Sequence, residues 1–95
     1  MNYIDEMAAL IERAIPDAQR PESRAAELYR LYALLAFTRG KSTSASDVHD
    51  AWSVWMLSDD PDHSSIVPYA QLLPEVQRED STFLNAILKA VDSSS

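Results

Sequence analysis

The chain has no cysteine among its 95 residues, which removes disulfides, thiolate zinc sites and cysteine nucleophiles together. It has one glycine, Gly40, too few for a glycine-rich phosphate cradle or a Gly-x-Ser-x-Gly nucleophile elbow. No His-Glu-x-x-His pair is present either. No apolar run approaches the ~20 residues that cross a bilayer, and the N-terminus lacks a basic start and an apolar signal core. The expected location is therefore the cytoplasm, with no membrane partner. Basic residues are scarce, with 8 Lys and Arg against 15 Asp and Glu for a net charge of −7. Duplex nucleic acid is a poor match to that balance, because phosphate contacts depend on clustered Lys and Arg that release counterions.

What is present suits one small domain. At this length roughly 60 to 65 per cent of the extended chain's surface can be buried, enough for a modest core without a metal or a disulfide. Charge is uneven: five basic and six acidic residues lie at or before Gly40, three basic and nine acidic after it. The arginines of the first half, Arg13, Arg20, Arg24, Arg30 and Arg39, alternate with acids as on a solvated helix face. The expectation is a single domain over residues 1–92, with the three closing serines at 93–95 as a frayed tail and Asp92 fraying beside them.

Periodicity predicts four helices and no strand, an all-α fold with one long ordered loop before the last helix. Ile4, Met7, Ala8, Ile11 and Ile15 recur at helical spacing, with Asp5 and Glu6 in the first turn and Pro16 as a stop. Pro21 suits a first helical position, and Glu22 onward reads helical up to Gly40, a left-handed C-terminal cap. Leu28 to Phe37 is apolar nearly all round, so this helix is expected to be central and surrounded. Ser44 and Asp47 have capping-box spacing, after which Val48, Ala51, Trp52 and Trp55 form one stripe ending near Leu57. Ser58 to Leu73 reads as a loop. Pro74 opens a short turn, and Asp80 or Ser81 caps a final helix with Phe83, Leu84, Ile87, Leu88 and Val91 inward.

Candidate site residues concentrate on the third helix and that loop. Trp52 reads as a core anchor or a pocket wall, and Trp55, beside the acidic loop, equally as either. His49 and Asp50 are adjacent, so on a helix they diverge and cannot easily act as a pair. The simplest role for His49 is to bond a loop carbonyl and tie the third helix to the segment around Pro68 and Tyr69. His63 has a similar reading. With Asp59, Asp60 and Asp62 it forms a set of hard donors, but the spacing matches no EF-hand loop, and no metal is expected. Asp50 and Asp80 meet only if the fold brings them together. Pro68 fixes the direction of the chain at Tyr69, whose ring either lids the core or closes over a ligand.

The run Val48-His49-Asp50-Ala51-Trp52, then Asp59-Asp60, His63, Ile66-Val67-Pro68-Tyr69, Leu73-Pro74-Glu75 and Asp80, resembles the RyR domain. That is the small helical repeat found in pairs in ryanodine receptors and as a free-standing module in bacteria and phages. The likeness spans about residues 44–91 and departs from the family in two respects, the lesser being one inserted residue at Leu73-Pro74-Glu75. The Gly-Trp-x-Tyr-Gly stretch is missing, since Trp52 reaches Asp59 through only Ser53-Val54-Trp55-Met56-Leu57-Ser58. The chain is also similar to uncharacterised proteins of actinobacterial phages. The resemblance implies a largely helical fold and a site for an adenine-like or nucleotide-derived ligand. In a phage it implies an anti-defence role, sequestering an immune signal in the host cytoplasm.

Two functions follow as expectations. In the first, His49, Trp52, Trp55, Asp59, Asp60, His63 and Tyr69 enclose a pocket for a small planar or nucleotide-derived ligand, without a cofactor. The acidic loop repels phosphates unless Arg13, Arg24, Arg78 or Lys89, from this chain or from a second subunit of a homo-oligomer, offsets it. In the second, the chain is an acidic helical adaptor that docks a basic host or phage protein by charge steering and exposed aromatics. The missing aromatic stretch favours the adaptor. The absent enzymatic signatures argue against an enzyme, with a hydrolase using His49 or His63 as the weakest reading.

Overall fold

A computed structural model describes residues 2–94 and contains four helices: α1 (Tyr3–Arg13), α2 (Ala25–Thr38), α3 (Ala45–Leu57) and α4 (Pro74–Ser94). Single 3₁₀ turns lie at Asp17–Gln19, Gly40–Ser42 and Tyr69–Gln71, and no strand occurs among the described residues. The all-α reading holds. Helix α2 packs against the other three, as a central helix must. The most deeply buried large side chains are Ile11, Ile15, Leu28, Tyr29, Tyr32, Val48 and Ile87, one layer from each helix or its flank.

Local chemistry accounts for most boundaries. Asn2 caps α1 by accepting from the Asp5 backbone N–H at 2.7 Å, satisfying a donor that a helix start leaves free. Ser44 and Asp47 form a complete capping box: the Ser44 hydroxyl accepts from the Asp47 N–H, and the Asp47 carboxylate accepts from the Ser44 N–H. That backbone donor, with help from Arg39, holds the Asp47 carboxyl below the usual carboxylate range. Gly40 has φ +54°, the left-handed conformation expected of it, although helix α2 itself stops two residues earlier.

Three boundaries depart from expectation. Helix α2 begins at Ala25 rather than Glu22, because Arg24 sits at φ 56°, a left-handed residue that Glu22 and Ser23 precede in bends. Helix α4 is continuous from Pro74, which takes the first helical position where its missing N–H costs nothing. Neither Asp80 nor Ser81 caps it; Asp80 lies within the helix and is buried. The helix continues through Asp92 to Ser94, past the predicted fray point, and Ser95 lies outside the described residues. Finally, α2 is not covered all round: Leu34 and Phe37 are 52 % and 48 % exposed, with Tyr3 packing edge-on to Phe37 at 5.2 Å.

Candidate functional site

The chemistry gathers where α3, α4 and the 58–73 loop meet. His49 is almost wholly buried, and its Nε2 lies 2.7 Å from the Val67 carbonyl oxygen. A carbonyl only accepts, so this nitrogen carries the proton. The bond ties α3 to the segment preceding Pro68 and Tyr69, which is the tether expected of this histidine. In a neutral ring Nδ1 is then bare. It faces Asp80 Oδ2 at 3.5 Å, close enough for ion pairing but too long for a hydrogen bond.

Asp80 reaches this position because α4 runs unbroken past it. Its side chain is only 10 % exposed, and Oδ2 is buried without a hydrogen-bond partner. Burial pushes its carboxyl up to about 6, His49 opposes that shift, and Glu79 adds to it. Removing a carboxylate from water disfavours its charge, so Asp80 holds its proton more tightly than an exposed acid does. Behind it lies Tyr32, whose buried hydroxyl has no partner and is pushed up by burial and by the Asp80 charge. Asp50, by contrast, is exposed, so the carboxylate pair Asp50–Asp80 does not form.

Around this pair the rings are in contact. Trp52 stacks on His49 at 5.6 Å between centroids, and His63 meets Trp52 edge-on at 5.2 Å. The His63 Nδ1 accepts from the Ser65 N–H at 3.1 Å, which locks its orientation. Beside these rings a cavity of about 160 Å³ is lined by His49, Trp52, His63, Ser65, Val76, Glu79, Asp80 and Phe83. It opens toward α4. The expected gap between α3 and the proline-tyrosine segment is bridged at His49 by the Val67 bond, which leaves only a surface depression of about 300 Å³ along Asp50, Ser53, Ile66, Val67 and Pro68.

The remaining candidates sit elsewhere. Tyr69 tilts against His49 at 6.3 Å and its carbonyl accepts from Gln77 Nε2, but it does not line the cavity. Trp55 faces α2. Its indole N–H donates to the Arg24 carbonyl at 3.0 Å, Arg24 Nη2 donates to the Trp55 carbonyl at 3.1 Å, and the guanidinium lies 5.1 Å from the ring centroid. Asp59 joins this cluster by pairing with Arg24 at 3.7 Å. Asp60 is exposed and accepts from the Asp62 N–H, shaping the turn. The expected seven-residue pocket therefore splits: His49, Trp52 and His63 stay together, while Trp55, Asp59, Asp60 and Tyr69 leave it. Among the described residues no cluster of three His, Asp or Glu converges as a metal site.

A larger depression, about 510 Å³, lies along Gln19, Glu75, Arg78, Glu79, Thr82 and Phe83. It is an open surface trough whose long polar side chains are mostly exposed, so the smaller cavity, with its buried acid and rings, is the better site. Asp80, Glu79 and Phe83 were not assigned to the pocket from sequence. A signal existed: Val76, Asp80, Phe83 and Ile87 share one helical stripe, and a carboxylate in an apolar stripe demands an explanation.

The chain matches the family described as a domain of unknown function, DUF7701, over residues 2–92. It belongs to the DUF7701 family. No curated protein and no solved structure matches it. In this member of DUF7701, then, the site rests on its own geometry: a buried acid–imidazole pair at the base of a ring-walled cavity.

Proposed function

We propose that this domain is a small-ligand-binding module whose ligand enters the cavity between α3 and α4. The observation that carries the reading is the buried Asp80 Oδ2, without a hydrogen-bond partner, at the wall of a cavity also lined by Trp52, His63 and Phe83. A few convergent polar groups among aromatic walls is the usual composition of a ligand site. Size restricts the ligand. A cavity near 150 Å³ holds about one benzene-sized ring, whereas drug-sized ligands occupy roughly 300 to 1,000 Å³. A nucleotide-derived molecule would thus be held by its ring alone, with its phosphates outside and away from Glu79 and Asp80. The RyR-like residues His49, Trp52 and His63 in this cavity support a planar ring as the group bound.

Thermal-shift screening with nucleobases, nucleosides, nucleotides and small nitrogen heterocycles tests this. A rise in Tm for phosphate-free rings, abolished when Val76→Phe plugs the cavity, is the expected result; a flat response across the panel contradicts it.

A second reading, an acidic adaptor for a basic protein, draws on different observations. Leu34, Phe37, Val54 and Leu57 are exposed, and the negative charge concentrates after Lys41. A flat ligand panel together with a stoichiometric, salt-sensitive complex with a basic protein would favour it.

A further inference from the structure

We propose that the cavity between α3 and α4 selects a compact organic cation, an alkylammonium or guanidinium head group, held by Asp80 and Glu79 within the walls formed by Trp52, Phe83, His49 and His63. This deepens the preceding reading and rests on it. The acids alone would not carry it. Asp80 is different from a surface acid because its side chain is nine-tenths buried, and its Oδ2 lacks a hydrogen-bond partner. A buried acceptor of this kind costs free energy until a donor reaches it, and a charged N–H donor is the strongest available.

The surroundings exclude the opposite charge. No Lys or Arg lines the cavity. Arg24 is committed to Trp55, Glu27 and Asp59, and Arg30 to Asp5. Arg78 lines the neighbouring trough with Glu75 and Glu79, not this cavity. An anion would meet two carboxylates and no counter-charge. A cation meets both, together with aromatic walls whose ring quadrupoles attract positive charge when water is displaced. The volume of about 160 Å³ admits one head group and excludes a long polycation.

Proton linkage gives the selection a signature. The groups facing Asp80 are His49 from α3, Glu79 on its own helix, Tyr32 from α2 and, across the cavity, His63 from the loop. A cation beside the Asp80 carboxyl favours its ionised form, so a proton held there leaves to solvent when the cation binds. Binding therefore weakens as acid competes for the carboxylate, whose affinity for a proton is raised by burial to about 6.

Calorimetric titration of the full chain with methylguanidinium chloride and butylammonium chloride tests the inference, with methylurea and butanol as neutral analogues at matched ionic strength. The expected result is at least tenfold tighter binding of the cation than of its neutral analogue at pH 7.5. A roughly tenfold loss between pH 7 and pH 5 should accompany it, as expected for a competing proton with a pKa near 6. Asp80→Asn should erase the preference. Glu79→Gln, at an exposed position, should reduce it severalfold and keeps the test open if the Asp80 variant fails to fold. Equal binding of methylurea and methylguanidinium, or a preference that survives Asp80→Asn, overturns the cation proposal while leaving a ligand site. No binding of any probe, alongside an unchanged Val76→Phe variant, removes the site itself. Capped arginine and lysine tripeptides separate the sources: binding tighter than the free head groups assigns a partner's side chain, and exclusion assigns a free small molecule.

Discussion

His49 Nε2 and the Val67 carbonyl oxygen, 18 residues apart, are joined by a 2.7 Å hydrogen bond that anchors the long loop to the third helix. The loop has no glycine and little regular structure beyond one 3₁₀ turn, so its order depends on such ties. Replacing His49 with Phe keeps a ring against Trp52 but deletes the donor and leaves Asp80 without its imidazole. The expected cost is about 1 to 3 kcal/mol in urea unfolding, with faster proteolysis within residues 58–73. Wild-type resistance to protease in this variant would show that the loop is held by other contacts.

Asp80 should give stability an unusual pH dependence. Its folded-state carboxyl titrates at about 6, above the ordinary value of about 3.9, so the folded protein binds this proton more tightly than the unfolded chain does. The stabilisation is fully present below about pH 4 and is lost as pH rises through 6. Asp5 and Asp47 are shifted downward, Asp5 mainly by its hydrogen bond from Arg30, and act in the opposite sense, losing stability in acid. Comparing wild type with Asp80→Asn cancels those terms. The variant should gain on wild type by on the order of 1 to 3 kcal/mol between pH 4 and pH 8. A difference that does not change with pH would mean that Asp80 titrates as an ordinary carboxylate.

Arg24 combines a left-handed backbone with a side chain that covers Trp55. Alanine at this φ retains a steric penalty of roughly 1 to 2 kcal/mol that glycine escapes, and both substitutions lose the guanidinium contacts. Arg24→Ala should therefore be less stable than Arg24→Gly by about 1 kcal/mol. In a Trp52→Phe background, either change should increase acrylamide quenching of Trp55. Equal stability of the two variants would show that the backbone relaxes once the arginine is removed.

These contacts mark how far the sequence could be read. Helices α1 and α3 follow from apolar spacing together with local signals, the acids Asp5 and Glu6 and the stop at Pro16 for α1 and the Ser44–Asp47 capping box, acting over three residues, for α3. The His49 tether was legible for a similar reason: an imidazole on an apolar stripe beside a proline-bearing loop needs a partner there. The start of α2 was not, because nothing local marks Arg24 as left-handed; its conformation is stabilised by Trp55, 31 residues away. That same distant pairing removed Trp55 and Asp59 from the expected pocket. Helix α4 was misread because Asp80-Ser81 looks like a cap when burial is ignored. The position that misled the boundary is the one that supplies the site its buried acid.

The most direct test is an amide and indole NMR titration of the full chain with methylguanidinium or with any ring compound that raises its Tm. The account predicts shifts confined to the Trp52 indole and to His63, Ser65, Val76, Asp80 and Phe83, with the Trp55 indole unmoved. Shifts centred on Trp55, Val54 and Leu31, or none at the Trp52 indole at saturating ligand, would contradict it.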